Sequence, residues 1–235
     1  MQEKGDSIAI ITARGGSKRI PRKNIKEFLG KPIIAYSIEA ALNAGCFSEV
    51  MVSTDDTEIA EIAVKLGAKV PFMRSPETSD DYATTVDVLL EVIGQYEKRG
   101  VHFNALCCIY PTAPFINSQK LKQGMEMLLG HKADCVLPVV KYSYPIQRSL
   151  KMENGRLIMN WPENYNARSQ DLVPVYHDCG QFYCMLVESI KKQKKLFAEN
   201  TLPIITPEDE MQDIDNEDDW KLAEIKYSFL REKGR

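Results

Sequence analysis

The chain opens on a short continuous apolar run, Ile8-Ala9-Ile10-Ile11, inside "SIAIITA". A run without polar alternation predicts a strand covered on both faces. Strand-like and helix-like stretches then alternate. "KPIIAYSIEAALNAG" puts Ile34, Ile38, Ala41 and Leu42 at helical spacing, with Pro32 near its start and Gly45 as its stop. "EVMVSTDD" predicts a second strand ending in two acids. "TEIAEIAVKLGA" predicts a helix with Ile59, Ile62, Ala63 and Leu66 on one face and Gly67 at its end. "AKVPFMR" predicts a short strand, "DDYATTVDVLLEVIGQYEKRG" a long helix, and "FNALCCIYPTAPF" a buried strand stopped by Pro111 and Pro114. "SQKLKQGMEMLLGHK" predicts a helix opened by Ser118, and "ADCVLPVV" a further strand. This succession implies an α/β fold, a mostly parallel sheet with helices on both faces.

The pattern changes near residue 141. "SLKMENGRLIMN" alternates around Asn154-Gly155, a short-range hairpin signal. "WPENYNARSQDLVPVYHD" is irregular, aromatic and polar. Residues 141–178 therefore predict an excursion from the α/β body within a single domain spanning 1–235. "GQFYCMLV" returns to strand character, "PIIT" predicts a last short strand, and "DDWKLAEIKYSFLRE" a terminal amphipathic helix. There are no repeats and no low-complexity tracts.

Composition narrows the class. The chain has 235 residues, enough for one α/β domain with a sizeable core. Its formal net charge of -3 argues against general affinity for nucleic acid or membrane. No apolar run approaches the roughly 20 residues needed to span a bilayer. The start, "MQEKGDS", is polar and acidic, unlike a signal peptide. Six cysteines lie mostly in apolar surroundings with no CxxC pair. They predict free core thiols and a reducing, cytoplasmic location. Cys179, beside His177 and Asp178, comes nearest to clustered zinc ligands.

Against this acidic whole, "ITARGGSKRIPRKN" (11–24) carries Arg14, Lys18, Arg19, Arg22 and Lys23 and no acid, directly after the first strand. A strand, then glycine with basic residues, then a helix is a phosphate-binding arrangement. Glycines let backbone N–H groups approach an anion, and Arg binds two oxygens at once. Neither the G-x-x-x-x-G-K-[ST] loop nor the G-x-G-x-x-G fingerprint is present. A solvated basic turn is the bland alternative. The carboxyl end of a strand, where open α/β sheets bind ligands, weighs against it. Near the other terminus, "EDEMQDIDNEDD" (208–219) holds eight acids in twelve residues. Such runs are commonly solvated, and acids before a helix suit its dipole. Yet Asp213 and Asp215 flank Ile214. In an extended segment that spacing puts both carboxylates on one face. Two carboxylates with phosphate oxygens suit Mg²⁺.

These residues also carry a resemblance. "ARGGSKRIPRKN" followed by "GKPIIAYSIEAAL", then "VMVSTDDTEIAEIAVKLGAKVPFMRSPETSDD", "YPTAPF" and "DIDNEDDWKLAE" resemble, in order, the motifs of the CMP-sugar synthetases, the acylneuraminate cytidylyltransferase family. "SYPIQRSL", "NARSQDL" and "YHDCGQFY" resemble the branch that uses pseudaminic acid, with legionaminic and N-acetylneuraminic acid as the alternative substrates. The resemblance implies a Rossmann-like nucleotidyltransferase fold. It implies that the C2 hydroxyl of a nine-carbon 2-keto sugar acid attacks the α-phosphate of CTP, giving the CMP-sugar and pyrophosphate. The product would serve surface glycan or flagellin glycosylation.

The same resemblance implies roles. Arg14, Ser17 and Lys23 would contact the triphosphate, with Gly15 and Gly16 as backbone donors and Asn24 on the nucleotide. Lys23 and Arg14 would stabilise charge in the transition state, while Arg19 and Arg22 read either as further phosphate contacts or as solvated flanks. Arg74, Asp81, Ala83 and Thr85 match the cytidine pocket, and Asp81 has helix capping as its other reading. Asp56 reads as the N-cap of "TEIAEIA". Asp213 and Asp215 would hold Mg²⁺. Tyr110, Arg148, Arg168, Gln170, His177, Asp178 and Gln181 are candidates for the sugar acid, with His177 equally readable as structural. In relatives the 141–178 excursion forms a homodimer interface that reaches the neighbouring site. Tyr142, Tyr144, Trp161 and Tyr165 suit that use.

Overall fold

The computed structural model describes residues 6–233, so the first five residues of the polar N-terminus lie outside the described residues. The elements in chain order are β1 (Ser7–Thr12), β2 (Glu27–Phe28), β3 (Lys31–Pro32), α1 (Ile34–Ala44), β4 (Glu49–Ser53), α2 (Thr57–Lys65), α3 (Thr85–Glu97), β5 (Ala105–Ile109) and α4 (Ser118–Gly130). They continue with β6 (Cys135–Lys141), β7 (Leu150–Glu153), β8 (Arg156–Met159), β9 (Tyr176–Asp178), β10 (Phe182–Leu186), α5 (Val187–Gln193), β11 (Thr201–Ile205) and α6 (Glu217–Glu232).

Seven strands form one sheet in the order β11-β6-β10-β5-β1-β4, with β9 on β6. β1 pairs in parallel with β4 and β5, and β11 in parallel with β6. β10 runs antiparallel to β5 and β6, and β9 antiparallel to β6. Alternation along the strands splits the core. Ala9 and Ile11 of β1 and Cys107 and Ile109 of β5 face α1, α2 and α4. Ile8, Ile10, Leu106 and Cys108 face α3 and α5. The apolar run at the start of the chain is thus buried on both sides. A third cluster, with Ile20, Phe28, Tyr36, Phe115, Ile214 and Trp220, joins the loop after β1 to the segment before α6. The six cysteines are free thiols, five of them buried.

Several expectations shift. "AKVPFMR" makes only an isolated bridge, Met51 to Lys69, instead of a strand. Pro71 lacks the N–H that would continue the ladder. The helix expected from Asp80 begins only at Thr85, because Thr84 and Asp87 form a capping box and Asp80 turns the backbone before it. Asp81 therefore does not cap it. The helix after residue 117 is capped by Asn117, whose side chain accepts from Lys120 N. Tyr176–Asp178, inside the stretch expected to be irregular, joins the main sheet as β9. The Asn154-Gly155 hairpin is present, with both residues at positive φ (50° and 73°). Its strands leave Leu150, Met152, Leu157 and Ile158 exposed. Among the described residues no helix is long and apolar enough to cross a membrane.

Candidate functional site

The chain passes from β1 through α1 to β4 on one side of the sheet, then returns to β5 on the other side of β1. Such a reversal opens a crevice at the carboxyl ends of the strands. A cleft of about 610 Å³ lies there, lined among others by Thr12, Arg14, Ser17, Lys23, Asn24 and Tyr110.

The basic loop is shaped by its neighbours. A Cβ on Gly15 would stand 2.9 Å from Asp56 Oδ2 and 3.0 Å from Asp56 Cβ, so a larger residue would have to displace the Asp56 side chain. Gly15 N donates to Asp55 Oδ1 at 2.8 Å, while a Cβ on Gly16 would meet nothing within 4 Å. Asn24 is buried and donates to Arg14 O at 2.8 Å. Arg22 takes a left-handed backbone (φ 55°) and forks onto Asp56 and Glu58. Asp56 also caps α2, accepting from Ile59 N at 3.0 Å. Its pKa is lowered first by the bond from Arg22.

The carboxylate segment meets this loop. Ile214 is 1% exposed in the third cluster, and the flanking Asp213 and Asp215 stay open. Lys23 Nζ donates to Ile214 O at 2.7 Å. Burial lowers the Lys23 pKa, against Asp215 and Asp213, which raise it. Desolvation and then Asp215 raise the Asp213 pKa. Arg19, exposed, pairs with Asp215 at 2.7 Å. Two adjacent carboxylates beside a cleft lined with cations suit Mg²⁺, which usually takes one or two carboxylates and completes its shell with phosphates and water. Among the described residues no group of three or more His, Cys, Asp and Glu could hold a metal ion by itself. Cys179, His177 and Asp178 therefore form no cage, and burial pushes the Cys179 thiol up to about 11.

The residues matched to the cytidine pocket lie outside the cleft lining and join it through Arg14, Lys18 and Tyr110. Arg74 is buried, donates to Ser53 O at 2.6 Å and to Ser53 Oγ at 3.0 Å, and has its pKa lowered by burial. Asp81 pairs with Arg14 at 3.1 Å and with Lys18. Ala83 N donates to Asp80 Oδ1 at 2.7 Å. Thr85 Oγ1 lies 3.3 Å from the Tyr110 hydroxyl.

The sugar candidates are more scattered. Tyr110 lines the cleft. His177 and Asp178 sit in β9, with His177 Nδ1 3.0 Å from Asp178 O and its ring 4.7 Å from Tyr142. Gln181 is 2% exposed and donates to Glu210 O at 2.9 Å. Arg148, near the Tyr144 ring, Arg168, paired with Asp171 at 2.9 Å, and the exposed Gln170 all lie on the excursion, outside the cleft lining.

Sequence reasoning missed three groups. Asp55 was noted only as a strand end, yet it holds Gly15. Lys120 pairs with Glu210 at 2.7 Å, tying the carboxylate segment to α4. Tyr183 donates to Asp178 Oδ2 at 2.5 Å. The first two are pairings distant in sequence, and the third spans only five residues across the turn from β9 to β10.

The family model described as "Cytidylyltransferase" matches residues 8–213. The chain is 41% identical over 229 residues to a pseudaminic acid cytidylyltransferase of Campylobacter jejuni, covering 97% of this chain and 99% of the relative. It is 33% identical over 227 residues to a CMP-N,N'-diacetyllegionaminic acid synthase of Legionella pneumophila, covering 92% and 94%. A solved CMP:2-keto-3-deoxy-manno-octonic acid synthetase, complexed with CTP, superposes with a TM-score of 0.69 at 17% identity over 97% of this chain and 100% of that one, a likeness of fold. With the match running from β1 through the cleft and its basic loop as far as Asp213, the chain belongs to the cytidylyltransferase family.

Proposed function

We propose that this chain transfers CMP from CTP to the C2 hydroxyl of pseudaminic acid, releasing pyrophosphate. The carrying observation is the cleft at the β1/β5 reversal, lined by Arg14, Arg19 and Lys23, where Lys23 and Arg19 face the Asp213–Asp215 pair. The choice of sugar acid leans on the Campylobacter relative and its near-complete coverage.

Arg14, Ser17 and Lys23, with the open Gly16 backbone, receive the triphosphate. Asn24 holds the Arg14 carbonyl and so fixes the loop. Lys23 is anchored at Ile214 O, and its half-buried ammonium faces negative charge that grows on the α-phosphate. Such a fixed charge in a poorly hydrated site is worth more than in water. Arg74, Asp81, Ala83 and Thr85 border the cytidine end. Tyr110, His177, Asp178 and Gln181 border the sugar end or support it, and Arg148, Arg168 and Gln170 approach from the excursion. Asp213 and Asp215 would hold Mg²⁺. When bound, the ion would neutralise phosphate charge and acidify a coordinated hydroxyl.

The excursion also fits a homodimer, since it exposes Met152 (72%), Leu157 (64%) and Tyr165 (69%) on one connected segment. A fully active 26.7 kDa monomer in sedimentation at micromolar concentration would exclude that assembly. The thiols and the absence of a membrane-crossing helix among the described residues accord with a cytoplasmic enzyme. The test of the reaction is pyrophosphate release from CTP and Mg²⁺ with pseudaminic, legionaminic and N-acetylneuraminic acids in parallel. Release with pseudaminic acid fastest is expected. Preference for another acid moves the specificity, and release with none defeats the reading.

A further inference from the structure

The arginines near the cleft differ in what holds them. Arg14 donates to Asp80 O at 2.9 Å and pairs with Asp81 at 3.1 Å. Arg22 forks onto Asp56 and Glu58, and Arg74 is buried against Ser53. Arg148 and Arg168 stand on the excursion, outside the cleft lining. Arg19 lines the cleft, keeps a side chain 68% exposed and places Nη2 2.7 Å from Asp215 Oδ1. Its backbone is nonetheless anchored. Ile20, the next residue, is 1% exposed and shares the third core cluster with Ile214, the residue before Asp215. Two pinned isoleucines thus bring Arg19 and Asp215 together, while both side chains stay open to solvent. The Lys23 pKa, lowered first by burial, is raised by Asp215 and Asp213 and lowered again by Arg19, so four charges share one edge of the cleft.

A guanidinium carries five N–H donors on a planar fork, more than one carboxylate oxygen can take, so Arg19 can hold Asp215 and a second anion at once. The proposed substrate dictates which anion. In a 2-keto sugar acid the C1 carboxylate is bonded directly to C2, the carbon whose hydroxyl attacks. Wherever that hydroxyl meets the α-phosphate, a carboxylate comes with it. Beside Asp213 and Asp215 such a carboxylate would be repelled unless a cation stood between. Lys23 is anchored at Ile214 O and serves the phosphate. Arg14 and Lys18 are drawn to Asp81, on the cytidine side. Arg19 is the cation that remains at the aspartate pair.

We propose that Arg19 binds the C1 carboxylate of the sugar acid, sets the C2 hydroxyl between Lys23 and the aspartate pair, and so selects 2-keto sugar acids over neutral sugars. The inference rests on the proposed reaction, since the carboxylate belongs to that substrate. It is independent of which acid is used, because pseudaminic, legionaminic and N-acetylneuraminic acids all carry that group.

The experiment uses the acid that the parent turns over fastest and its C1 carboxamide, which keeps the C2 hydroxyl and removes the charge. For the parent, Arg19→Ala and Arg19→Lys it measures both KM values, the Mg²⁺ concentration for half-maximal rate and the melting temperature. Calorimetric Kd values for acid and carboxamide, taken with Mg²⁺ and α,β-methylene-CTP, which cannot release pyrophosphate, give a readout without turnover. Arg19→Ala should raise KM and Kd for the acid about 10–100-fold, the scale of a lost charged hydrogen-bond pair, with KM for CTP within about twofold. Arg19→Lys should fall between, since an ammonium keeps the charge and loses the fork. The parent should prefer acid to carboxamide by about the same factor, and Arg19→Ala should lose that preference, because the two partners form one interaction. An exposed ion pair adds little stability, so all three proteins should melt close together. A preference for the acid that survives in Arg19→Ala, or none in the parent, overturns the contact. A rise in KM for CTP as large as that for the sugar would make Arg19 a phosphate contact. A changed Mg²⁺ requirement alone would make it a brace for Asp215. Either result overturns the proposal. A parent inactive with every sugar acid defeats the proposed reaction and this contact with it. An active parent with an unaffected Arg19→Ala defeats the contact alone.

Discussion

The basic loop is held chiefly by polar contacts close to it, Gly15 N on Asp55, Asn24 on the Arg14 carbonyl and Arg22 on Asp56, with Ile20 as its buried anchor. The carboxylate segment is held by Ile214 and by long side chains from elsewhere: Lys23 on Ile214 O, Lys120 on Glu210, and Lys226 on Met211 O at 3.0 Å. The difference follows from what each carries. A loop that presents cations to an anion can be braced by acids behind it. A segment that presents two like charges gains most from cations and from an apolar residue pinned between them. Ile20 and Ile214 share the third cluster, so two loops nearly two hundred residues apart converge on one small core.

Lys23 belongs to both supports, and its removal should have the largest effect. Lys23→Ala is expected to lower kcat about 100–1,000-fold, the range for deleting one preorganised charge or donor. The side chain ends in a polar contact, so the melting temperature should move little. Turnover within a factor of about two of the parent would remove Lys23 from the chemistry.

Two truncations then separate the supports. Ile214→Ala empties a fully buried site and should cost about 3 kcal/mol of stability. It should also loosen Asp213 and Asp215. Asn24→Ala removes a hydrogen bond under the basic loop and should cost about 1 kcal/mol. Its kinetic mark should be a higher KM for CTP, with the Mg²⁺ requirement unmoved. Chemical denaturation with Mg²⁺ and CTP titrations reads all of this. Equal Mg²⁺ shifts in the two variants would show that the loops are fixed as one unit.

The scaffold of this comparison was legible in the sequence where burial is continuous. "SIAIITA" and "FNALCCIY" became β1 and β5 because an uninterrupted apolar run suits only a doubly covered strand. Asp213-Ile214-Asp215 was legible for the same kind of reason, a period of two around one apolar residue. "AKVPFMR" was misread because its apolar content outweighed Pro71, which stops pairing after one bridge. β9 was hidden because Tyr-His-Asp carries no apolar signal. Its pairing is chosen by the open edge of β6. The contacts of Asp81 with Arg14 and Lys18 and of Gln181 with Glu210 depend on which segments the fold brings together. No local pattern encodes them.

The smallest effect is the sharpest test of which acids face the metal. Glu217 pairs with Lys26 at 2.7 Å, and Lys26 in turn lies 4.6 Å above the Trp220 ring. Asp219 accepts from the backbone N–H groups of Asp215 and Asn216 at 2.9 and 3.0 Å as part of the α6 capping box. Glu217 is therefore occupied by its ion pair and Asp219 by starting the helix. Asp213 and Asp215 are directed toward Lys23 and Arg19 at the cleft. Asp213→Asn and Asp215→Asn should each raise the Mg²⁺ concentration for half-maximal rate about tenfold, because a neutral amide is a poorer ligand for a hard cation than a carboxylate. Glu217→Gln should leave it within about twofold, since an exposed ion pair contributes at most about 1 kcal/mol and does not touch the metal. Mn²⁺ binding followed by electron paramagnetic resonance in the presence of CTP should rank the variants in the same order. Three overlapping curves would mean that the acidic run serves only the helix start and that the metal is held elsewhere in the cleft.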